Sequence, residues 1–192
     1  MDESARMTSV GTSVGGISWD GIVIRRIGVD DHSNVRHLHA KAMTSQSADA
    51  LSDAEIAAFV AFVRSSAYSD MLMGEDVHGA FVDGQLIGTA AWHVSGDDGQ
   101  VARISSVFVH PLFIGRGLGR RLLAEVEARA SQSGFDQLGT SATANAVAFF
   151  EKLGYQVASR GVKTYGPGCS LPVAFLRKSV PRTAREGHKP AA

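Results

Sequence analysis

Apolar residues recur along the chain with two periods, and the switches between them mark out its elements. "GIVIRRIG" at 21–28 reads as a first strand, after which Asp30 and Asp31 introduce a helical spacing of Val35, Leu38, His39 and Ala42. A second helix is better marked. Ser52 and Glu55 form a capping-box signature, and Ile56, Phe59, Val60 and Val63 follow on one helical face. "GAFV" and "QLIGTAAWHV" flank Asp83-Gly84, which predicts an antiparallel hairpin closed by a type I′ turn. The turn "SGDDGQ" leads into "VARISSVFV" at 101–109, whose β-branched residues predict a strand. Leu118, Leu122, Val126 and Ala130, with Leu123 beside them, then predict a helix stopped by Gly134. "FDQLGTS" is a short strand, "NAVAFFEKLG" a short helix ended by Gly154, and "YQVASRGVKTY" and "LPVAFLRKSV" are two last strands around a "GPGCS" loop. Strands predominate with helices inserted among them, so the expected class is α+β with a mixed sheet, also describable as mixed-sheet α/β.

Composition narrows this to one domain. The chain has 192 residues, 44% of them hydrophobic, enough for one sizeable core. Residues 1–18 are rich in Ser, Gly and Thr and 181–192 are polar, so a mobile arm and a flexible tail are expected around a domain at 19–180. Lys plus Arg equals Asp plus Glu at 19 each, so no global field recruits nucleic acid or an anionic membrane, and a small-molecule partner is expected. The longest apolar run, "IAAFVAFV" at 56–63, is too short to span a bilayer, and the N-terminus lacks the apolar core of a signal peptide. A single cysteine, Cys169, excludes an internal disulfide, and no Cys-His partnership makes it a nucleophile. These features point to the cytoplasm. His32, His37 and His39 contain no i, i+4 pair, so no metal site is expected.

The densest chemistry lies in "FIGRGLGRRLL", where glycines 115, 117 and 119 stand at the mouth of a helix. A helix N-terminus leaves N–H groups unpaired and carries positive dipole charge; glycines let the backbone curl round a phosphate, and Arg116, Arg120 and Arg121 add charge nearby. The nucleotide P-loop is excluded because no Lys-Ser or Lys-Thr follows, and the dinucleotide fingerprint because Arg120 stands at its third glycine. Spacing alone leaves two readings: a diphosphate cradle, or a turn that lets the helix pack closely on a strand.

"VFVHPLFIGRGLGRRLL" resembles the central motif of the Gcn5-related N-acetyltransferase (GNAT) superfamily, and "NAVAFFEKLGYQV" a second block of that family in the order the family places it. The resemblance runs from about residue 21 to 180 and implies a central twisted, mostly antiparallel sheet of about six to seven strands with helices on both faces. It implies acetyl-CoA as donor, with the strand at Val107, Phe108 and Val109 pairing with the pantetheine arm. The backbone at Gly115, Arg116, Gly117, Leu118, Gly119 and Arg120 would hold the pyrophosphate, and Asn145 would contact the cofactor. Ile114 stands where the family usually has Gln or Arg, and Phe150, on the cofactor side, where it often has an acid tyrosine. Arg103 matches a position at which several members carry a glutamate base, so His93 beside it is the candidate base. Ser105, Ser106, Glu75, His78 and Tyr165 stay open as members of the acceptor pocket or a water relay, and His110 in the "VHP" turn is read as structural.

The expected cleft lies between the strands at 101–109 and 135–141, with acceptor walls from residues 43–78 and a loop at 160–171. The acceptor expected is a small-molecule or peptide amine, and Asp70, Glu75 and Asp76 favour a cationic small molecule over a protein N-terminus. Dimers are frequent in the family, and a homodimer is compatible with the resemblance. The function implied is acetyl transfer from acetyl-CoA to a primary amine by direct attack in a ternary complex. The alternative, kept open by Phe150 and Arg103, is a non-enzymatic acyl-CoA-binding or sensor domain.

Overall fold

A computed structural model of the chain describes residues 21–95 and 100–181; the arm expected at 1–18, the tip of the turn at 95–100 and the tail beyond 181 lie outside them. Seven strands form one sheet: β1 (Val23–Arg26), β2 (Asp76–Val82), β3 (Gln85–Ser95), β4 (Val101–Val109), β5 (Gln137–Ala142), β6 (Gln156–Gly166) and β7 (Cys169–Ser179). Their spatial order is β1-β2-β3-β4-β5-β7-β6, and every neighbouring pair is antiparallel except β4 and β5. The helices are α1 (His32–Gln46), α2 (Asp53–Val63), α3 (Ser66–Gly74), α4 (Leu118–Gln132) and α5 (Ala144–Glu151). One core joins α4 and α5 to the sheet through Leu122, Val126, Phe150 and Ile104. A second joins α1, α2 and α3 through Val35, Phe59, Tyr68 and Leu171. The expected mostly antiparallel sheet with helices on both faces is therefore present. Among the described residues no single helix is long and apolar enough to cross a membrane.

The local signals act as their chemistry requires. Ser52 and Glu55 cap α2 reciprocally, and Asp83 (φ 48°) and Gly84 (φ 75°) both take the positive angles of the hairpin turn. All five apolar positions of the α4 stripe are buried, because that stripe is the face turned to β3 and β4. Two expectations need correction. Residues 66–74 form α3, which the pattern does not announce: only Tyr68 and Leu72 are buried, and a nine-residue helix offers one repeat of the spacing. The segment at 160–171 is a hairpin rather than a loop. The turn between its strands is only Pro167-Gly168, and Cys169 opens β7 as a buried side chain whose thiol pKa is raised by burial.

The sheet is split at one place. β4 and β5 are in parallel register only at Ala102–Leu138 and Arg103–Gly139. Just beyond, β4 carries a bulge: Thr89 faces Phe108 and Ala91 faces Ser105, so Ser106 and Val107 together oppose Ala90. Ser106 sits at φ 52°, a left-handed conformation that costs a non-glycine residue about 1–3 kcal/mol and persists only where neighbours hold it. The bulge bends β4 where its pairing with β5 ends, and a cleft opens between the two strands.

Candidate functional site

The cleft has two compartments. The first, about 540 Å³, is lined by Val107 and Val109 of β4, by Phe113, Ile114, Gly115, Gly117, Leu118, Gly119 and Arg120 of the glycine turn and α4, and by α5 with Lys152 and Leu153. The second, about 330 Å³, is lined by Glu75, His93, Ser105, Ser106 and Phe108, and across the gap by Thr140, Ser141, Lys163 and Tyr165. Gln46, Val107, Asn145, Ala146 and Phe150 belong to both, so the compartments form one passage.

Backbone builds the first compartment. Gly115 (φ 74°) and Gly117 (φ 78°) hold left-handed angles, and a Cβ at either would project into open space with nothing within 4 Å. That space is a hollow which a side chain would fill. Gly117 caps α4 without any side-chain bond, and the first helical bond is donated by Arg121 N–H to Gly117 O, 3.1 Å. The N–H groups of Leu118, Gly119 and Arg120 therefore have no intrahelical acceptor, and with the helix dipole behind them they present an anion-binding end. Gly119 does a different job: a Cβ there would meet the Phe149 ring at 3.4 Å, so it permits close packing of α4 on α5. One glycine of the turn thus serves packing, and two leave a hollow at the helix start. Arg120 and Lys152 line the groove, whereas Arg116 does not; its guanidinium stands 5.9 Å from the centre of the Phe113 ring.

Backbone also shapes the wall from β4. His110 N–H donates to Ile87 O, 2.8 Å, and in an antiparallel ladder the bonded pairs alternate, so Phe108 bonds toward β3 while the polar groups of Val107 and Val109 turn to the gap. One of them is already used, since Gln46 Nε2 donates to Val109 O at 2.9 Å. Asn145 Nδ2 donates to Gln46 O at 2.8 Å and its Oδ1 accepts from Thr143 Oγ1 at 2.8 Å, so Asn145 ties α5 to the end of α1 across the passage. The Phe108 ring leaves the groove and stacks on His39. Phe150 is buried at the junction, edge-on to Phe149 and Tyr155.

Side chains build the second compartment. Glu75, at the end of α3, is only 7% exposed; its Oε2 accepts from Ser106 Oγ at 3.2 Å, and its Oε1 lies 3.3 Å from His93 Nδ1, in ion-pair range though off the line a hydrogen bond needs. Ser105 Oγ is buried with no hydrogen-bond partner in the protein. Beneath them runs a directional chain. Thr89 Oγ1 donates to Ser106 O at 2.7 Å, so it must accept from His39 Nε2–H at 2.6 Å, and His39 Nδ1 then accepts from the Tyr68 hydroxyl. Burial drives the His39 imidazole down to about 3, which keeps it neutral in that tautomer, and raises the Tyr68 phenol. This chain holds the carbonyl of the bulged Ser106.

Several candidates fall elsewhere. His78 is buried outside both compartments, its Nε2 3.3 Å from Asp76. Asp76 itself binds Arg26 and the Trp92 indole, and Asp70 lines neither compartment, so of the three carboxylates only Glu75 faces the cleft. His110 Nδ1 accepts from Leu112 N–H, the structural role expected of it. Arg103 lines neither compartment. Gln46, Lys152, Thr140, Ser141 and Lys163 line the cleft without having been singled out in the sequence; Lys152 alone stands in a quoted motif block, and no pattern marks the other four.

Comparison with known proteins agrees with this fold. The acetyltransferase (GNAT) domain profile matches residues 47–170, more than half of the chain. No curated protein matches the sequence. Among solved structures, a Gcn5-related N-acetyltransferase from Rhodopseudomonas palustris superposes with a TM-score of 0.74 at 23% identity, covering 86% of this chain and 100% of its own. The PaiA N-acetyltransferase from Thermoplasma acidophilum, solved with coenzyme A, has a TM-score of 0.68 at 17% identity, covering 83% and 99%. YncA from Salmonella typhimurium, assigned as an acetyltransferase and solved with acetyl-CoA, has a TM-score of 0.58 at 20% identity, covering 88% and 99%. At these identities the structures speak for the fold, and the profile for the family. The chain belongs to the GNAT family of acetyltransferase domains.

Proposed function

We propose that this protein is an acetyl-CoA-dependent N-acetyltransferase that moves an acetyl group to a primary amine bound in the second compartment. The observation that carries the reading is the single passage from the anion-binding start of α4 to the Glu75–His93 pair, walled throughout by β4. The residues present fit acetyl-CoA. The hollow at Gly115 and Gly117 and the free N–H groups after it suit a diphosphate, with Arg120 and Lys152 adding charge; the unpaired edge at Val107 suits the amides of pantetheine. Bound there, acetyl-CoA supplies an activated acyl group.

The protein's own part is binding, orientation and proton handling. Glu75, held by Ser106, stands beside His93 Nδ1, and His93 would take the proton of the acceptor amine. The amine nitrogen forms its bond to the acetyl carbon as the carbon–sulfur bond breaks. The thiolate takes its proton from solvent, because Phe150 offers no acid. Ser105 Oγ–H is the donor that would meet charge at the acyl oxygen.

A thiol-release assay with acetyl-CoA and a panel of primary amines, run beside calorimetric titration of acetyl-CoA, tests the reading. Binding with amine-dependent release supports it. Binding with no release to any amine would favour the sensor alternative, and absence of binding would end both.

A further inference from the structure

The second compartment carries charge of both signs on opposite walls. Glu75 and His93 stand on one side; Lys163, half-buried on β6, stands on the other, its Nζ donating to Ser141 Oγ at 3.2 Å and lying 4.7 Å from the centre of the Tyr165 ring. Among the described residues no carboxylate comes within ion-pair distance of Lys163, although it is turned into a pocket rather than to open solvent. Arg103 on β4 presses on it with like charge and also has no carboxylate partner among those residues. Burial first, then the Arg103 charge, lower the pKa of the Lys163 ammonium, against a weaker opposing pull from the Glu75 carboxylate.

A desolvated ammonium beside a second cation is costly unless an anion joins it. Ser141 and Tyr165 offer a hydroxyl and a ring face, neither of which neutralises charge. The one carboxylate of the pocket is committed to Ser106 and His93 at the other wall. A plain alkylamine would meet Glu75 and leave Lys163 uncompensated, whereas an acceptor with an anionic group beside its amine would satisfy both walls. The compartment, about 330 Å³, is of a size for a small molecule.

We infer that the acceptor is a small amino acid whose carboxylate is bound by Lys163 on the β6 wall while its amine faces Glu75 and His93. The inference rests on the acetyltransferase reading. It departs from the expectation of a cationic acceptor, since Asp70 and Asp76 do not face the cleft and only Glu75 does.

The experiment pairs each of the common α-amino acids with its α-carboxamide, measuring thiol release at saturating acetyl-CoA. At least one acid should exceed its amide in kcat/KM by at least about tenfold, because the amide cannot form the charge-assisted bond. In Lys163→Met that ratio should fall toward one, mainly through a raised KM for the acid, and in Lys163→Arg most of it should persist. Three results would overturn the inference while leaving the transferase reading in place: amides or simple amines used as well as any acid, a preference for acids that Lys163→Met does not change, or transfer to amines with no acid accepted. Acetyl-CoA that binds with no transfer to acids, amides or amines would overturn it together with the transferase reading. Failure to bind acetyl-CoA at all would remove the reading on which it stands.

Discussion

The two compartments of the cleft are made from different material. The groove at the start of α4 is a backbone site: its hollow comes from two left-handed glycines, its donors are peptide N–H groups, and it is drawn from one continuous stretch of chain with α5 beside it. The pocket beyond is a side-chain site, assembled from α3, β3, β4, β5 and β6, and held by hydrogen bonds between residues as far apart as His39 and Thr89. A backbone site constrains sequence because only glycine tolerates its angles cheaply. A side-chain site leaves each position open to many residues, and under the proposed function it is the part that would select the amine rather than the donor.

Breaking the pocket at its proposed base should have the largest effect. His93→Ala should lower kcat by about 10²- to 10⁴-fold while the dissociation constant for acetyl-CoA stays unchanged, measured by steady-state kinetics and calorimetry. Near wild-type turnover would show that the Glu75–His93 contact is structural.

The chain beneath the pocket predicts a smaller, acid-dependent effect. His39 titrates near 3 when folded and near about 6.5 when unfolded, so between those values the unfolded chain binds the extra proton. Stability from this residue is complete above about pH 6.5 and falls on acidification toward about pH 3, by at most about 1.4 kcal/mol per pH unit. Denaturant midpoints measured across that range should fall less steeply in His39→Gln than in the wild type. Parallel curves would contradict the buried neutral imidazole.

The smallest effect belongs to the residue shared by both compartments. Phe150→Tyr adds a hydroxyl where the wild type is expected to release its thiolate to water, and kcat should change by no more than about tenfold, or about 1.4 kcal/mol. A wild type inert to every amine but activated a thousandfold or so by the tyrosine would place the barrier at thiolate protonation instead.

The same contrast explains what could be read from the sequence. The α4 stripe, the Ser52–Glu55 cap and the Asp83-Gly84 turn each follow from contacts within a few residues, and each is found where the spacing places it. Gly115 and Gly117 were legible for the same reason. The Ser106 bulge was not: nothing in "RISSVFV" announces a left-handed serine, because Thr89, His39 and Tyr68, up to 67 and as few as 17 residues away, hold its carbonyl and the chain behind it. Glu75 and Asp76 are neighbours in sequence, yet alternation along the backbone sends one into the cleft and the other to Arg26 and Trp92. Lys163 comes to the cleft only when β6 pairs with β7 and its side chain reaches Ser141 on β5.

The account depends above all on the groove that brings the donor to the pocket, and Gly117 tests it most directly. A Cβ there meets no protein atom, so valine at φ 78° adds backbone strain but no clash, and its methyls enter the hollow. Calorimetric titration of acetyl-CoA into the wild type and a folded Gly117→Val variant should show affinity falling by at least about 100-fold, or about 2.7 kcal/mol. Equal affinity in the two proteins would mean that the diphosphate does not rest on the start of α4, and the path from donor to acceptor described above would be wrong.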